Sequence, residues 1–195
     1  NAGFIIIFAP ILAWLWVALA KRKWNPSTPV KFALGVFMAG LGFYVLVGGI
    51  TLSGAGLVAV YFIFLIYLIH TLGELMLSPV GLSAVTKLAP ARVVGMTMGA
   101  WFLFSGLSNY LAGVIASTTG AETIGGQLTD PGAAKATYAA VYSQVGLIAM
   151  AIALGMLILS PVIKTLMGSA AEDMEPHPTK TEAGGPSMDR SSDAP

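Results

Sequence analysis

The side chains best suited to chemistry in this sequence follow one another at four-residue intervals: His70, Glu74 and Ser78. Residues four apart lie on the same face of an α-helix, so these three form a polar stripe in an otherwise apolar segment. A carboxylate in such a segment is costly unless it faces a cavity, a partner charge or a proton path. Glu74 is therefore the leading candidate for binding a proton or a cation. The alternative is a structural hydrogen bond to a neighbouring helix.

Two further side chains near this stripe have more than one interpretation. His70 could relay protons, although a histidine one turn from a carboxylate is more often only its hydrogen-bond partner. Trp101 begins a second stripe, continued by Ser105 and Asn109. Tryptophan often marks a membrane interface. Trp101 lies several residues inside the predicted boundary of its segment, so a cavity wall is an equally consistent role.

Other classes of chemistry find no support in the residue types present. The sequence has no cysteine, which excludes thiolate metal sites and cysteine nucleophiles. Its two histidines, His70 and His177, are too far apart in sequence to suggest a metal site. The HExxH, Walker and GxSxG patterns are absent. Basic residues are scattered, so no nucleic-acid surface is predicted. We expect no enzyme activity, no metal and no cofactor.

The composition is that of a membrane protein. Of 195 residues, 56% are hydrophobic and 10% are charged, whereas soluble domains are about 25% charged. A spanning helix needs about 20 mostly apolar residues, and five segments meet this condition. We therefore predict an all-α membrane protein with helices over residues 1–20, 30–49, 57–88, 94–117 and 138–163.

The third segment is too long for one straight crossing. About 32 residues at 1.5 Å each would extend about 48 Å. Pro79 and Gly81 lie two-thirds of the way along it. Proline removes a backbone hydrogen bond, so we predict a bend at Pro79 with a cytoplasmic end after it.

The basic residues predict the orientation in the membrane, because cytoplasmic connections are enriched in lysine and arginine. The first and third connections carry Lys21, Arg22, Lys23, Lys31, Lys87 and Arg92, and the second carries no charge. The first and third connections, and the C-terminus, are therefore predicted to be cytoplasmic. Residues 168–195 are acidic and rich in Pro, Gly and Ser, which predicts a disordered cytoplasmic tail.

Small residues recur at seven-residue intervals on two of the predicted helices. Gly35, Gly42 and Gly49 form one series, and Gly99, Gly106 and Gly113 form the other. Such series let helix backbones approach closely in lipid. We interpret both as helix-packing surfaces, with sliding during a conformational change as the alternative.

The sequence from Thr71 to Pro90, TLGELMLSPVGLSAVTKLAP, carries a family resemblance. It resembles the proton-dependent oligopeptide transporters of the major facilitator superfamily, and the similarity continues through 95–103 and 109–113. The five segments look like that family's eighth to twelfth helices. The resemblance implies a fragment comprising most of a carboxy-terminal helix bundle. The start at Asn1, without methionine and directly in an apolar run, also favours a fragment.

The resemblance implies a role for individual residues. Glu74 matches the family's glutamate that meets the peptide amino group and takes part in proton coupling. Ser78 matches a cavity serine, and Trp101 matches a tryptophan that lines a side-chain pocket. Asn1 matches an asparagine that contacts the peptide backbone.

The implied function is proton-coupled symport of di- and tripeptides across the bacterial inner membrane, with protons as the coupling ion. Pro79 and Gly81 fall where the family's tenth helix bends at the cytoplasmic gate. The family's Glu-x-x-Glu-Arg signature and its seventh helix are not in this sequence, so the amino-terminal half is an expected partner and this chain alone is not expected to transport. The alternatives are transport of another small solute, such as nitrate, and a non-transporting membrane scaffold.

Overall fold

The computed structural model describes residues 2–54, 56–118, 123–124, 127–128 and 130–168. Five long helices make up most of this part of the chain: α1 Ala2–Lys21, α2 Thr28–Leu52, α3 Val60–Leu88, α4 Val94–Thr118 and α5 Pro131–Met167. A 3-10 turn, Ala91–Val93, precedes α4, and two short antiparallel strands, β1 Thr123–Ile124 and β2 Gln127–Leu128, lie between α4 and α5. All five helices are long and apolar enough to cross a membrane. The prediction of an all-α membrane protein with five spanning helices is confirmed.

The ends of α5 differ most from the predicted segment of 138–163. This helix begins at Pro131 and continues through Pro161 to Met167. Its first turn is capped by Asp130, whose carboxylate accepts hydrogen bonds from the backbone N–H of Gly132 (2.8 Å) and Ala133 (3.0 Å). A hydropathy window does not register such a cap, because the polar cap and the weakly apolar first turns resemble a connection.

Helix α2 is the centre of the packing and contacts both α3 and α5. The first glycine series lies on its α3 side. A β-carbon at Gly35 would lie 2.9 Å from the carbonyl oxygen of Gly73, and one at Gly49 would lie 2.6 Å from the ring of Phe62. Gly42 is packed equally closely against the ring of His70. Gly35 brings the backbones of α2 and α3 together, and Gly42 and Gly49 leave room for rings of α3, so that the two helices pack closely, as helices do in lipid.

The second glycine series does not have this role in the part of the chain that the structure describes. A β-carbon at Gly99, Gly106 or Gly113 would meet no atom within 4 Å. No residue of 94–117 is buried, and α4 contacts α3 only lightly. The packing interpretation is therefore correct for the glycines of α2, and no described residue supports it for those of α4.

Helix α3 is continuous from Val60 to Leu88, with Pro79 in its interior. Because proline has no N–H, the carbonyl of Leu75 lacks its usual helical donor at this point. The bend at Pro79 remains a prediction. The predicted tail of 168–195 lies, apart from Gly168, outside the described residues.

Candidate functional site

Glu74 lies near the middle of α3, about 21 Å along the helix axis from Val60. The buried residues of α3 nearest to Glu74 in sequence are Thr71, which is fully buried, and Gly73. Glu74 and Ser78 are both exposed within the described bundle. The helix therefore presents a carboxylate and a hydroxyl, one turn apart, on a face that the other described helices do not cover.

His70 does not share the exposure of Glu74, although the two are one turn apart. Its ring is half-buried against α2, where Nε2 lies 3.1 Å from the carbonyl oxygen of Ala39. The ring fills the space left by Gly42 and meets Phe43 edge-on, with the ring centroids 4.9 Å apart. The Glu74 carboxylate is still close enough to act on His70 electrostatically.

Trp101 and Gly81, predicted from different segments, are in direct contact. The six-membered ring of Trp101 packs on Gly81, where a β-carbon would also lie 2.8 Å from Cζ of Phe32. Trp101 lines an apolar cavity of about 580 Å³ between α3 and α4, together with Thr97 and Phe104. A peptide side chain in this cavity remains a prediction.

The remaining residues singled out from the sequence make few contacts in the described part of the site. Asn1 lies outside the described residues. Ser105 and Asn109 are exposed on α4, and the Ser105 hydroxyl donates to the carbonyl oxygen of Trp101 at 2.9 Å. Among the described residues, no cluster of three or more His, Cys, Asp or Glu side chains could hold a metal ion.

Lys31, one of the basic residues that predict the orientation, is a buried cation. Its side chain is 6% exposed, and Nζ lies 4.9 Å from the ring centroid of Trp16. It lines a small cavity with Pro79 and Ser83. A positive charge beside the proline of α3 could not be foreseen, because it depends on how α1, α2 and α3 meet.

Lys135 is the second lysine whose contacts the sequence did not reveal. From the first turns of α5, Nζ donates to Ser53 Oγ at 2.9 Å and to the carbonyl oxygens of Gly54 at 3.0 Å and Gly56. These acceptors belong to the end of α2 and the connection to α3. The ammonium therefore links the start of α5 to the end of α2 and to the connection between α2 and α3.

Known proteins share the sequence of this bundle over much of its length. A model of the POT family matches residues 1–131. The chain is 43% identical over 128 residues to the peptide transporter YePEPT of Yersinia enterocolitica, covering 64% of this chain and 25% of the relative. It is 35% identical over 178 residues to the dipeptide and tripeptide permease B of Aliivibrio fischeri, covering 90% of this chain and 35% of the relative.

The architecture is also similar to solved structures. A crystal structure of a mutant of peptide transporter POT, in complex with sulfate, superposes with a TM-score of 0.72 at 40% sequence identity. The match covers 85% of this chain and 30% of that one. The chain spans between a quarter and about a third of the length of these proteins. The family model, the relatives and the architecture agree, and the chain belongs to the POT family.

Proposed function

We propose that the complete protein carries out proton-coupled symport of di- and tripeptides across the bacterial inner membrane. The chain contributes most of the carboxy-terminal bundle, and the amino-terminal half of the same transporter is its partner. The proposal is supported by membership of the POT family and by relatives that are named for peptide transport.

The observation that carries the proposal is the position of Glu74. Its carboxylate is exposed on α3 in the middle of a helix long enough to span the bilayer. Such a group is retained in membrane helices where it meets a cavity, a cation or a proton path. A peptide's ammonium group is a suitable cation, and neutralisation of the carboxylate by a proton would release it.

The remaining roles are assigned around Glu74. Ser78, one turn away on the same exposed face, would contribute a hydroxyl to the substrate cavity. Trp101 would form an apolar wall for varied side chains, and Asn1 would contact the peptide backbone. The site would lie near the midplane between the two halves, as in other transporters built from repeats.

Alternating access would require movement at the cytoplasmic end of α3. We assign the hinge to Pro79 and Gly81, where a backbone hydrogen bond is missing and a glycine packs on Trp101. In the proposed orientation this end and the C-terminus are cytoplasmic, as the distribution of lysine and arginine indicates.

The test is proton-driven dipeptide uptake by the complete transporter in proteoliposomes, comparing Glu74→Gln with the wild type. The amide is similar in size but cannot bind a proton as a carboxylate does, so accumulation against a gradient should be abolished. Undiminished accumulation by Glu74→Gln would contradict the coupling role.

Two controls separate proton coupling at Glu74 from a spatial role and from transport of a different solute. Glu74→Asp keeps the carboxylate and should retain measurable driven uptake, which a purely spatial requirement at this position would not allow. Competition by unlabelled di- and tripeptides identifies the substrate class. Uptake that nitrate inhibits and peptides do not would place the protein among importers of another solute, and absence of any flux would favour a scaffold.

A further inference from the structure

A second cavity, separate from the exposed face of Glu74, lies between α2, α3 and α5. Its volume is about 480 Å³. Val58 and Lys135 line it at the end of the bundle where α2 finishes and α3 and α5 begin, and His70 lines it deeper in. The ten residue-to-residue steps from Val60 to His70 correspond to about 15 Å along α3. The cavity therefore extends from one end of the bundle towards its middle.

The wall of this cavity is aromatic along its length. Tyr138 and Tyr142 stack with their centroids 5.8 Å apart, and Tyr142 stacks on Phe43 at 5.5 Å. Phe43 in turn meets the ring of His70 at 4.9 Å. This series is continuous from the first turns of α5 to His70, and its two phenol groups are able to hydrogen-bond water in an otherwise apolar space.

His70 is held at the inner end of the cavity by one of its two ring nitrogens. The carbonyl oxygen of Ala39 can only accept, so in this hydrogen bond Nε2 carries the proton. Nδ1 is then the nitrogen that can bind and release a proton. Glu74 follows one helical turn later, at a spacing that brings side chains within about 6 Å of each other, and it acts electrostatically on the ring.

We propose that this cavity is a proton entry path and that His70 passes protons along it to Glu74. The proposal rests on the proposed function, because it supplies the proton that Glu74 needs for coupling. In the proposed orientation the cavity opens on the outer side of the membrane. Protons would thus reach Glu74 through the carboxy-terminal bundle, without crossing the peptide site.

The proposed transfer has two steps. A proton from water in the cavity binds to Nδ1 of His70, which becomes an imidazolium. The Nδ1–H bond then breaks as the carboxylate of Glu74 takes the proton, directly or through one water. His70 returns to its neutral form and Glu74 becomes a neutral acid, while the Nε2 proton stays hydrogen-bonded to the carbonyl of Ala39.

The charges around the path fit this direction of movement. On α3, Glu74 acts electrostatically on the ring and Tyr67 lines the cavity, and α5 contributes Lys135, Tyr138 and Tyr142 to the lining. The α2 side chains in the lining are apolar. The ammonium of Lys135 is held by three oxygens at the cavity mouth. Among these groups, the only carboxylate available to take a proton from His70 is that of Glu74.

The experiment uses the complete transporter in proteoliposomes with a pH-sensitive dye trapped inside. His70→Gln keeps a donor for the carbonyl of Ala39 but removes the transferable proton. We expect peptide counterflow close to that of the wild type, while proton movement with peptide is lost. The accumulation ratio should fall to about one, because without a coupling free energy transport can only equalise concentrations.

A second variant displaces the ring of His70 by a substitution on α2. A β-carbon in Gly42→Ala would collide with the imidazole, so this variant should also lose coupling by displacing His70. Gly48→Ala, on the same helix, is the matched control and should remain coupled, because a β-carbon there would meet no atom within 4 Å.

Two results with His70→Gln would overturn the proposed proton path. Coupled accumulation by His70→Gln at wild-type level would overturn the proposal and leave Glu74 with another proton source. Loss of counterflow together with coupling would also overturn it, since His70 would then act in folding or substrate movement. If the wild type itself moves no peptide, the proposed function fails instead, and the two failures are distinct.

Discussion

One helical turn separates two residues with different surroundings. His70 and Glu74 are four positions apart, which is a rotation of about 40° around the helix axis. That rotation is enough to move a side chain from the interface with α2 to the exposed face. His70 binds the Ala39 carbonyl, whereas Glu74 is exposed. In the proposed mechanism, the first can take protons from within the bundle and the second can meet substrate outside it.

At the same scale, one added methyl group at Gly81 should lower the stability of the protein. Gly81→Ala would place a β-carbon within the contact distance of the Trp101 ring and 2.8 Å from Cζ of Phe32. Overpacking of this kind costs about 1–3 kcal/mol. We expect a lower midpoint of thermal unfolding for the purified protein in detergent.

Two companion variants make this prediction specific. Trp101→Phe removes the ring atoms nearest Gly81 and should restore part of the stability lost in Gly81→Ala. Gly99→Ala, where a β-carbon would meet no atom within 4 Å, should be neutral or slightly stabilising, because alanine is about 1 kcal/mol better than glycine in a helix. Equal destabilisation by Gly81→Ala and Gly99→Ala would contradict the contact.

The sequence predicted residues that share a helix better than residues that meet across helices. The period of 3.6 placed His70, Glu74 and Ser78 on neighbouring positions of one helix. It could not show that Gly42 opens the space for His70, since that depends on the relative positions of α2 and α3. The buried state of Lys31 beside Trp16 was missed for the same reason.

Among the elements, α2 and α3 pack closely around His70. Their glycines, Gly35 and Gly73, bring the backbones together on one side of His70, and Gly49 leaves room for the ring of Phe62 on the other. In lipid, close contact and interhelical hydrogen bonds replace the hydrophobic effect as the basis of association. The α3 helix is therefore fixed to α2 along the half that precedes Pro79.

The connection between α2 and α3 depends on an element that is distant in sequence. Lys135→Met would remove three hydrogen bonds to Ser53, Gly54 and Gly56. Since a net hydrogen bond contributes about 0.5–1.5 kcal/mol, we expect faster amide exchange over 53–59 and lower stability. Hydrogen exchange with mass spectrometry would measure this segment directly.

The control for this element removes the same charge elsewhere. Lys164→Met lies on the exposed surface of α5 and should leave exchange in 53–59 unchanged. If both substitutions increased exchange equally, net charge would be responsible. If neither did, the ammonium would not be restraining the connection.

Hydropathy located the helices well and their capped ends less well. The bounds of α1, α2, α3 and α4 were close to the predicted ones because long apolar runs define them. Helix α5 begins at Pro131, before the predicted segment, because Asp130 caps its first turn through hydrogen bonds. The Lys135 contacts could not be predicted, because they join residues 82 and 81 positions apart and the sequence has no period at that range.

For the whole molecule, the described helices are unequally covered. Helix α2 is in contact on two sides, whereas α4 has no buried residue over 94–117 and α1 has one, Leu12. In the proposed transporter, these faces would meet lipid or the amino-terminal half. The chain covers only 35% of one relative and 30% of the solved structure, so most of the surroundings of Glu74 would come from the rest of the protein.

The orientation of the whole molecule is testable because this chain contains no cysteine. In a cysteine-free version of the complete transporter, Leu57→Cys would report on the α2–α3 connection, and Ala91→Cys on the α3–α4 connection. Both positions are exposed. The positive-inside rule predicts that Leu57 lies outside and Ala91 in the cytoplasm. An impermeant maleimide should therefore label Leu57→Cys on intact cells and Ala91→Cys only after permeabilisation.

A third position makes the assignment independent of local accessibility. Lys21→Cys, in the first connection, should behave like Ala91→Cys, because two crossings return the chain to the same side. In inverted vesicles the pattern should reverse, with Lys21→Cys and Ala91→Cys labelled first. If Ala91→Cys were labelled on intact cells and Leu57→Cys were protected, the bundle would have the opposite orientation in the membrane. The cavity at Lys135 would then open to the cytoplasm, and protons could not reach His70 from outside by that path.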